Sequence, residues 1–330
     1  MNILNKSAFL AGSLLVVAMP TSALACACGC GIFDVGDGTI VPSNSDTGLT
    51  VWVRYAHMTQ DQLREGSQRA DPADNPDKRI STDFYTLGGE YMINHKWSVM
   101  AQLPLVKRSF TTTDDGTWAA PDGTINTRHV TSLGDAMIRL TYTGLSDDMS
   151  TGLSVGLKLP TGRYTSPIGP LGGTGFDRDT LPGSGSTDIS LGAYHVGRVK
   201  GALSWFVQAQ YQFAVAKRDD YRPGNEADAA LGLTYDLGTN AKGLGVAPSL
   251  QLLGSVRNHD TGGNSDPDNS GYRRLLIAPG IKVHLGRKLS VYGDVEFPVA
   301  QYVRYADPAS GVSGQLTAPV QFRLQLNYAI

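Results

Sequence analysis

Three cysteines stand within five residues, Cys26-Ala27-Cys28-Gly29-Cys30, and the chain has no others. Thiolates separated only by Ala and Gly can fold round a soft ion, Cu(I) or Zn(II). That makes Cys26, Cys28 and Cys30 candidate metal ligands, although the spacing is not a standard structural zinc pattern and no histidine is adjacent. Two other readings stand beside this one. Cys26 is a candidate lipidation site, with Ala23 where a lipobox takes Leu. Alternatively, an odd number of cysteines in an oxidising compartment leaves a terminus partly disulfide-bonded or paired with another protein.

The oxidising compartment follows from the residues before the cluster. Lys6 gives a basic start, Ala8 to Ala18 an apolar run, and Ala23-Leu24-Ala25 a small-x-small cleavage site. Residues 1–25 are predicted to be a secretory signal peptide. Nothing after them holds eighteen consecutive apolar residues, so no transmembrane helix is expected.

Catalytic chemistry finds little support. No Gly-x-Ser-x-Gly occurs, and His57, His95, His129, His195, His259 and His284 are scattered. No enzyme is expected. The acidic runs at Asp114-Asp115-Gly116 and Asn264 to Asp268 lack EF-hand spacing. A net charge of −2 with no basic patch excludes a nucleic-acid partner.

Charge is placed with a regular parity. Arg54, Glu90, Asp135, Arg139, Lys158, Asp188, Asp228, Arg274, Lys282, Asp294, Glu296 and Arg323 fall on the polar side of alternating segments. Asp83 is read in the same way. In Val320 to Ile330, Phe322, Leu324, Leu326 and Tyr328 share one face, and Gln321, Arg323, Gln325 and Asn327 the other. Such alternation predicts a sheet with one apolar and one polar face.

Twelve segments of this kind are predicted: 49–59, 81–93, 97–110, 131–145, 150–162, 187–199, 202–216, 226–238, 244–258, 271–286, 289–305 and 316–330. The connectors alternate between long, as in 163–186, and short, as in Lys200-Gly201 and Arg287-Lys288. The polar faces carry Gln and Arg rather than Lys and Glu, and Tyr and Trp collect near segment ends. These features predict a single antiparallel transmembrane β-barrel of about twelve strands over 49–330, in the outer membrane of a Gram-negative bacterium. Short turns and both termini are then periplasmic. Residues 26–48 form a periplasmic cysteine-bearing segment whose path relative to the lumen is open.

Outward-running strands repeat a proline seven residues after an apolar start: Trp97 to Pro104, Leu153 to Pro160 and Val291 to Pro298. Proline donates nothing to the ladder, so each should mark a bulge, a strand end or an opening in the wall. Mixed charges on the inner face either pair across the lumen or form a ring that selects permeants.

Gly156-Leu157-Lys158-Leu159-Pro160-Thr161-Gly162 resembles the GxKLPTG segment of the MetA-pathway phenol-degradation family of outer-membrane proteins. Leu133-Gly134-Asp135-Ala136 with Arg139-Leu140-Thr141-Tyr142 resembles that family's preceding inward strand, whereas the terminal Asn327-Tyr328-Ala329-Ile330 departs from the usual final aromatic. The resemblance is specific over residues 131–162 and architectural elsewhere. It implies a barrel passing small organic molecules, aromatics included. The expected function is a passive channel for small solutes. The alternative is a closed barrel that binds a metal or a partner through its cysteines. The expected partners are the lipid bilayer, the outer-membrane assembly machinery, a small-molecule permeant and, for the cysteine segment, a periplasmic protein.

Overall fold

The structure is a computed structural model that describes residues 36, 47–113, 124–165, 178–306 and 313–330. The predicted signal peptide and Cys26, Cys28 and Cys30 lie outside the described residues.

Sixteen strands follow in order. They are β1 (Gly48–Gln60), β2 (Gln62–Glu65), β3 (Gln68–Arg69), β4 (Asp77–Asn94), β5 (Trp97–Thr112) and β6 (Asn126–Leu133). Next come β7 (Ala136–Tyr142), β8 (Thr151–Leu159), β9 (Thr187–Lys200), β10 (Leu203–Ala216) and β11 (Glu226–Tyr235). The last are β12 (Leu244–Arg257), β13 (Tyr272–Leu285), β14 (Leu289–Val303), β15 (Gln315–Thr317) and β16 (Gln321–Ala329). All but β2, β3 and β15 belong to one antiparallel sheet that closes through the β4–β5 pairing. With β6 and β7 counted as two halves of one interrupted strand, this is a closed twelve-stranded barrel.

Period-two side-chain alternation sets which face is which. In β16, Gln321, Arg323 and Gln325 are buried inside the barrel, while Phe322, Leu324 and Leu326 are 45–51% exposed on its outside. The same outward exposure holds for Leu87, Leu103, Ile138, Val155, Leu231 and Leu252. In water these residues would form a large apolar surface. A closed barrel wearing such a belt satisfies its backbone internally and meets lipid on its outside. Tyr and Trp flank the belt: Trp97 stacks on Tyr142 with ring centroids 4.8 Å apart near the short turns, and Tyr211 pairs with Phe213 at 5.9 Å toward the long connectors.

Two predicted boundaries are corrected. The strand expected at 131–145 begins at Asn126 and is interrupted at Gly134-Asp135. Register against β5 shifts by one residue there, from Leu105↔Leu133 to Gln102↔Met137. One extra residue in one strand is a bulge, and it swaps which parity faces inward. The strand expected at 316–330 is divided into β15 and β16. β15 pairs with β2 inside the predicted loop 60–80, and β2 pairs with β3.

Candidate functional site: the lumen and the breaks in its wall

One side of the lumen is charged. Arg323 on β16 forms an ion pair with Asp294 on β14, and its Nε also donates to Asp294 at 3.2 Å. The Tyr292 hydroxyl donates to Asp294 at 2.6 Å, and Gln251 reaches Asp294 at 3.3 Å. Glu296 stands 3.8 Å from Arg323. Arg54 donates to Gln325 at 2.7 Å, and Arg274 lies over the Tyr272 ring at 4.8 Å. Around the wall, Arg139 donates to Gln210 at 2.8 Å and Glu90 accepts from Ser98 at 2.9 Å. Asp228 is buried opposite Gln210, and Lys282 lies opposite Ala247 and Tyr292. Buried charges therefore take partners across neighbouring strands, as an interior charge must.

Beside it, on β1, β4, β5 and β7, runs an apolar strip, which parity alone did not predict. Trp52, Met100 and Met137 cluster low in the barrel. Met58, Phe84, Val106 and Ala318 follow above them. Leu63, Ile80, Phe110, Val130, Leu181 and Leu316 pack together toward the end that carries the long connectors. A further buried strip joins Tyr194, Phe206, Leu253 and Leu276 on β9 to β13. These side chains occupy inward positions where a purely polar lining was expected. Their signal in the sequence is an apolar residue breaking the alternation, as Phe84 and Phe206 do.

Each repeated proline sits where strand pairing changes. Pro104 lies where β5 passes from β7 to β6. Pro160 directly follows β8, and beyond it β6 has only β5 as a strand neighbour. Pro298 adjoins a bulge in β14, beyond the last β14–β16 pair at Glu296↔Gln321. The wall thus has two interruptions in its ladder, both toward the long connectors.

The break beside β6 is closed by chain rather than by a strand. Arg163 N–H donates to the Leu133 carbonyl at 3.3 Å, and Gly183 N–H to the Arg163 carbonyl at 2.9 Å. A Cβ on Gly162 would stand 2.7 Å from Gly183 Cα, so two backbones meet here with no room for a side chain. Asp135 binds the closure. Its carboxylate accepts from Gly162 N–H at 3.0 Å, from Ser184 N–H at 3.0 Å and from the Ser184 hydroxyl at 2.8 Å. Lys158 bridges Asp135 at 3.3 Å and Asp188 at 2.7 Å. Thr161 Oγ1 donates to the Gly134 carbonyl at 2.9 Å and accepts from Ala136 N–H at 2.8 Å. The two motifs that carried the family resemblance therefore build one seam.

Gly36 lies deep in the lumen. Its N–H donates to Gln208 at 3.0 Å, its φ is +115°, and a Cβ there would meet Gln251 at 3.0 Å and Arg323 at 3.2 Å. Asp83 corrects the parity reading, because it faces outward and accepts from the Tyr55 hydroxyl at 2.8 Å beside His57 at 2.8 Å. In the connectors, Arg178 stacks on Tyr164 at 4.7 Å and Tyr221 at 5.1 Å, and burial pushes its guanidinium pKa down. Among the described residues, no group of three His, Cys, Asp or Glu is placed to hold a metal ion.

Fold and lining together define a transmembrane β-barrel of the outer-membrane class. No protein-family model matches the chain, and no curated protein matches it. Among solved structures, the chain is similar to the COG4313 outer membrane channel from Pseudomonas putida F1. The TM-score is 0.61 at 14% identity, over 88% of this chain and 99% of that one. The β domain of the Bordetella autotransporter BrkA follows, with TM-score 0.48 and 12% identity over 86% of this chain and 100% of that chain. The CymD monoaromatic hydrocarbon channel has TM-score 0.47 and 11% identity over 90% and 94%. At these identities the first likeness establishes the fold, and the other two add no argument.

Proposed function

We propose that this barrel is a passive channel for small, largely apolar solutes, with the long connectors outside the cell and both termini in the periplasm. The observation that carries the reading is the apolar stripe descending from Leu63 and Leu316 through Met58, Phe84 and Val106 to Trp52, Met100 and Met137. An apolar body slides along such a stripe without losing contacts. The charged residues beside it, with Arg54, Arg323, Asp294 and Glu296 at their centre, set which polar substituents pass.

Solutes exchange between lumen and membrane at the breaks marked by Pro104, Pro160 and Pro298, and the Gly162–Gly183 seam is the closed form of the first. The family resemblance carried by Gly156 to Gly162 suggests that aromatics are among the permeants.

Two measurements test this. Purified protein in planar bilayers should conduct ions. Intact cells, whose lipopolysaccharide leaflet retards hydrocarbons, should take up labelled methylcyclohexane several-fold faster when they carry the barrel. A silent bilayer together with unchanged uptake rejects the channel reading.

A further inference from the structure

The outer face of β1 and β4 carries a hydroxyl, an imidazole and a carboxylate in one line. His57 and Thr59 stand two residues apart on β1, so both project outward. Asp83 on β4 faces His57 in register, and Ser81 faces Thr59. His57 Nδ1 lies 2.8 Å from Asp83 Oδ1, and His57 Nε2 lies 3.3 Å from Thr59 Oγ1. A carboxylate only accepts, so Nδ1 carries the ring proton and the bare Nε2 receives the Thr59 hydroxyl. The Tyr55 hydroxyl donates to the same Asp83 oxygen at 2.8 Å. Ser81 Oγ stands 3.3 Å from Thr59 Oγ1. Lys107 on β5, in register with Asp83, is exposed on this face. The His57 and Asp83 side chains are 31% and 25% exposed, within reach of a lipid. The belt beneath sets the height of the group. Two residues down, Tyr55 and Tyr85 pair with ring centroids 5.2 Å apart, and four residues down Val53 and Leu87 are exposed to hydrocarbon. Tyrosines mark the level where hydrocarbon meets headgroups, which is also the level of lipid ester carbonyls. An ionisable group on a lipid-facing wall is costly and marks function.

We propose that Thr59, His57 and Asp83 form a hydrolase site for acyl esters of membrane lipids, in the leaflet on the side of the long connectors. This is a second activity, independent of the lumen. A hydroxyl touching a base that an acid orients is the arrangement of acyl transfer, whatever the fold. Thr59 Oγ attacks the ester carbonyl while His57 Nε2 takes its proton. The bond from the acyl carbon to the lipid alcohol breaks, and the alcohol leaves with the proton from His57. Water then attacks the acyl-Thr59 ester and gives a proton to His57, which returns it to Thr59 Oγ as the fatty acid departs. Asp83 is a positioning residue: it fixes the ring and stabilises the imidazolium. The Ser81 hydroxyl is placed to donate to the oxyanion, and Lys107 to meet a lipid phosphate.

The mature barrel in mixed micelles is given phosphatidylethanolamine with radiolabelled acyl chains and, separately, radiolabelled lipid A, whose esters present the same carbonyl. Labelled fatty acid should be released, and the lipid that yields it identifies the source. Thr59→Val, nearly equal in shape, and His57→Gln should each lower release at least about a hundredfold, since a positioned acid–base group contributes roughly 10²–10⁴-fold. Thr59→Ser should retain it. Asp83→Asn should lower kcat at unchanged KM. A long-chain fluorophosphonate should attach to Thr59, as peptide mass spectrometry reads, and should fail to attach in His57→Gln. The heat-modifiable band on gels checks that each variant is folded. The site is overturned by any of three results: no fatty acid from either lipid, no label on Thr59, or release that persists undiminished in folded Thr59→Val.

Discussion

The Asp135 carboxylate accepts the backbone N–H of Gly162 at 3.0 Å across the point where the barrel wall loses its strand pairing. Asp135 sits in the bulge between β6 and β7, and Gly162 sits just past the end of β8. A carboxylate that takes three hydrogen bonds from the closing chain, with Lys158 beside it, fastens the break as a side-chain clasp.

Removing the clasp should be costly. Asp135→Ala should lower unfolding free energy by about 3 kcal/mol, because hydrogen bonds to charged groups are worth roughly 1.5–3 kcal/mol each and the side chain is largely buried. Urea unfolding in detergent reads this directly. Asp135→Asn should destabilise less and leave ion selectivity unchanged. Altered selectivity at unchanged stability would show that the carboxylate acts on permeants instead.

Gly162→Val tests the seam by shape rather than by charge. The new Cβ cannot stand 2.7 Å from Gly183 Cα, so the two chain segments must separate. Hydrocarbon uptake by intact cells should rise while the heat-modifiable barrel band persists on gels. Unchanged uptake would mean that the seam is no route.

Gly36 is held at a φ of +115° against Gln208, Gln251 and Arg323. Gly36→Ala adds backbone strain of about 1 kcal/mol and crowds Arg323. Single-channel conductance should change, whereas the unfolding midpoint in urea should move little.

For the amino-terminal thiols, metal analysis of the mature protein should find a soft ion, Cu or Zn, that is lost when Cys26, Cys28 and Cys30 are all changed to Ser. Equal metal content in both proteins rejects the metal reading and leaves lipidation or disulfide pairing.

The connector at Lys217 to Arg222 should respond to acid. Hydrogen bonds from Lys217 at 2.8 Å and from Gly263 N–H at 2.9 Å hold the Asp220 pKa below its usual value. A lowered carboxylate pKa means that the folded contact favours the ionised form. Its stabilisation is present above the ordinary carboxylate pKa of 3.8 and is lost as pH falls through the lowered value. Amide exchange at Gly263 should therefore quicken only in strong acid, and Asp220→Asn should show the fast rate already at neutral pH.

The barrel was legible because its outward face must be apolar at every second residue, and lipid tolerates few departures. Leu324 and Leu326 advertise their strand for that reason. The inward face is under no such rule. Trp52, Phe84 and Val106 occupy it beside Arg54 and Gln325, so parity identified the charged wall and was blind to the apolar one. The seam was hidden for another reason. Gly134, Gly162 and Gly183 are far apart in sequence, and their meeting depends on which strands end early. Asp83 misled because it was read from its place at a strand start: it stands seven residues from the inward Glu90 on one strand, so it faces the other side.

The short ribbon above the wall has a meaning for assembly. β2 and β15 pair as Arg64↔Gln315 and Leu63↔Leu316, in step with the β1–β16 pairs that end at Met58↔Gln321. The first and last barrel strands are therefore measured against each other twice, once in lipid and once in water. A slip of two residues would keep every apolar side chain facing lipid, so the bilayer alone cannot detect it. The ribbon can, because its three pairs would no longer align. It works as a vernier for the final closure of the cylinder, held by a segment that never enters the membrane.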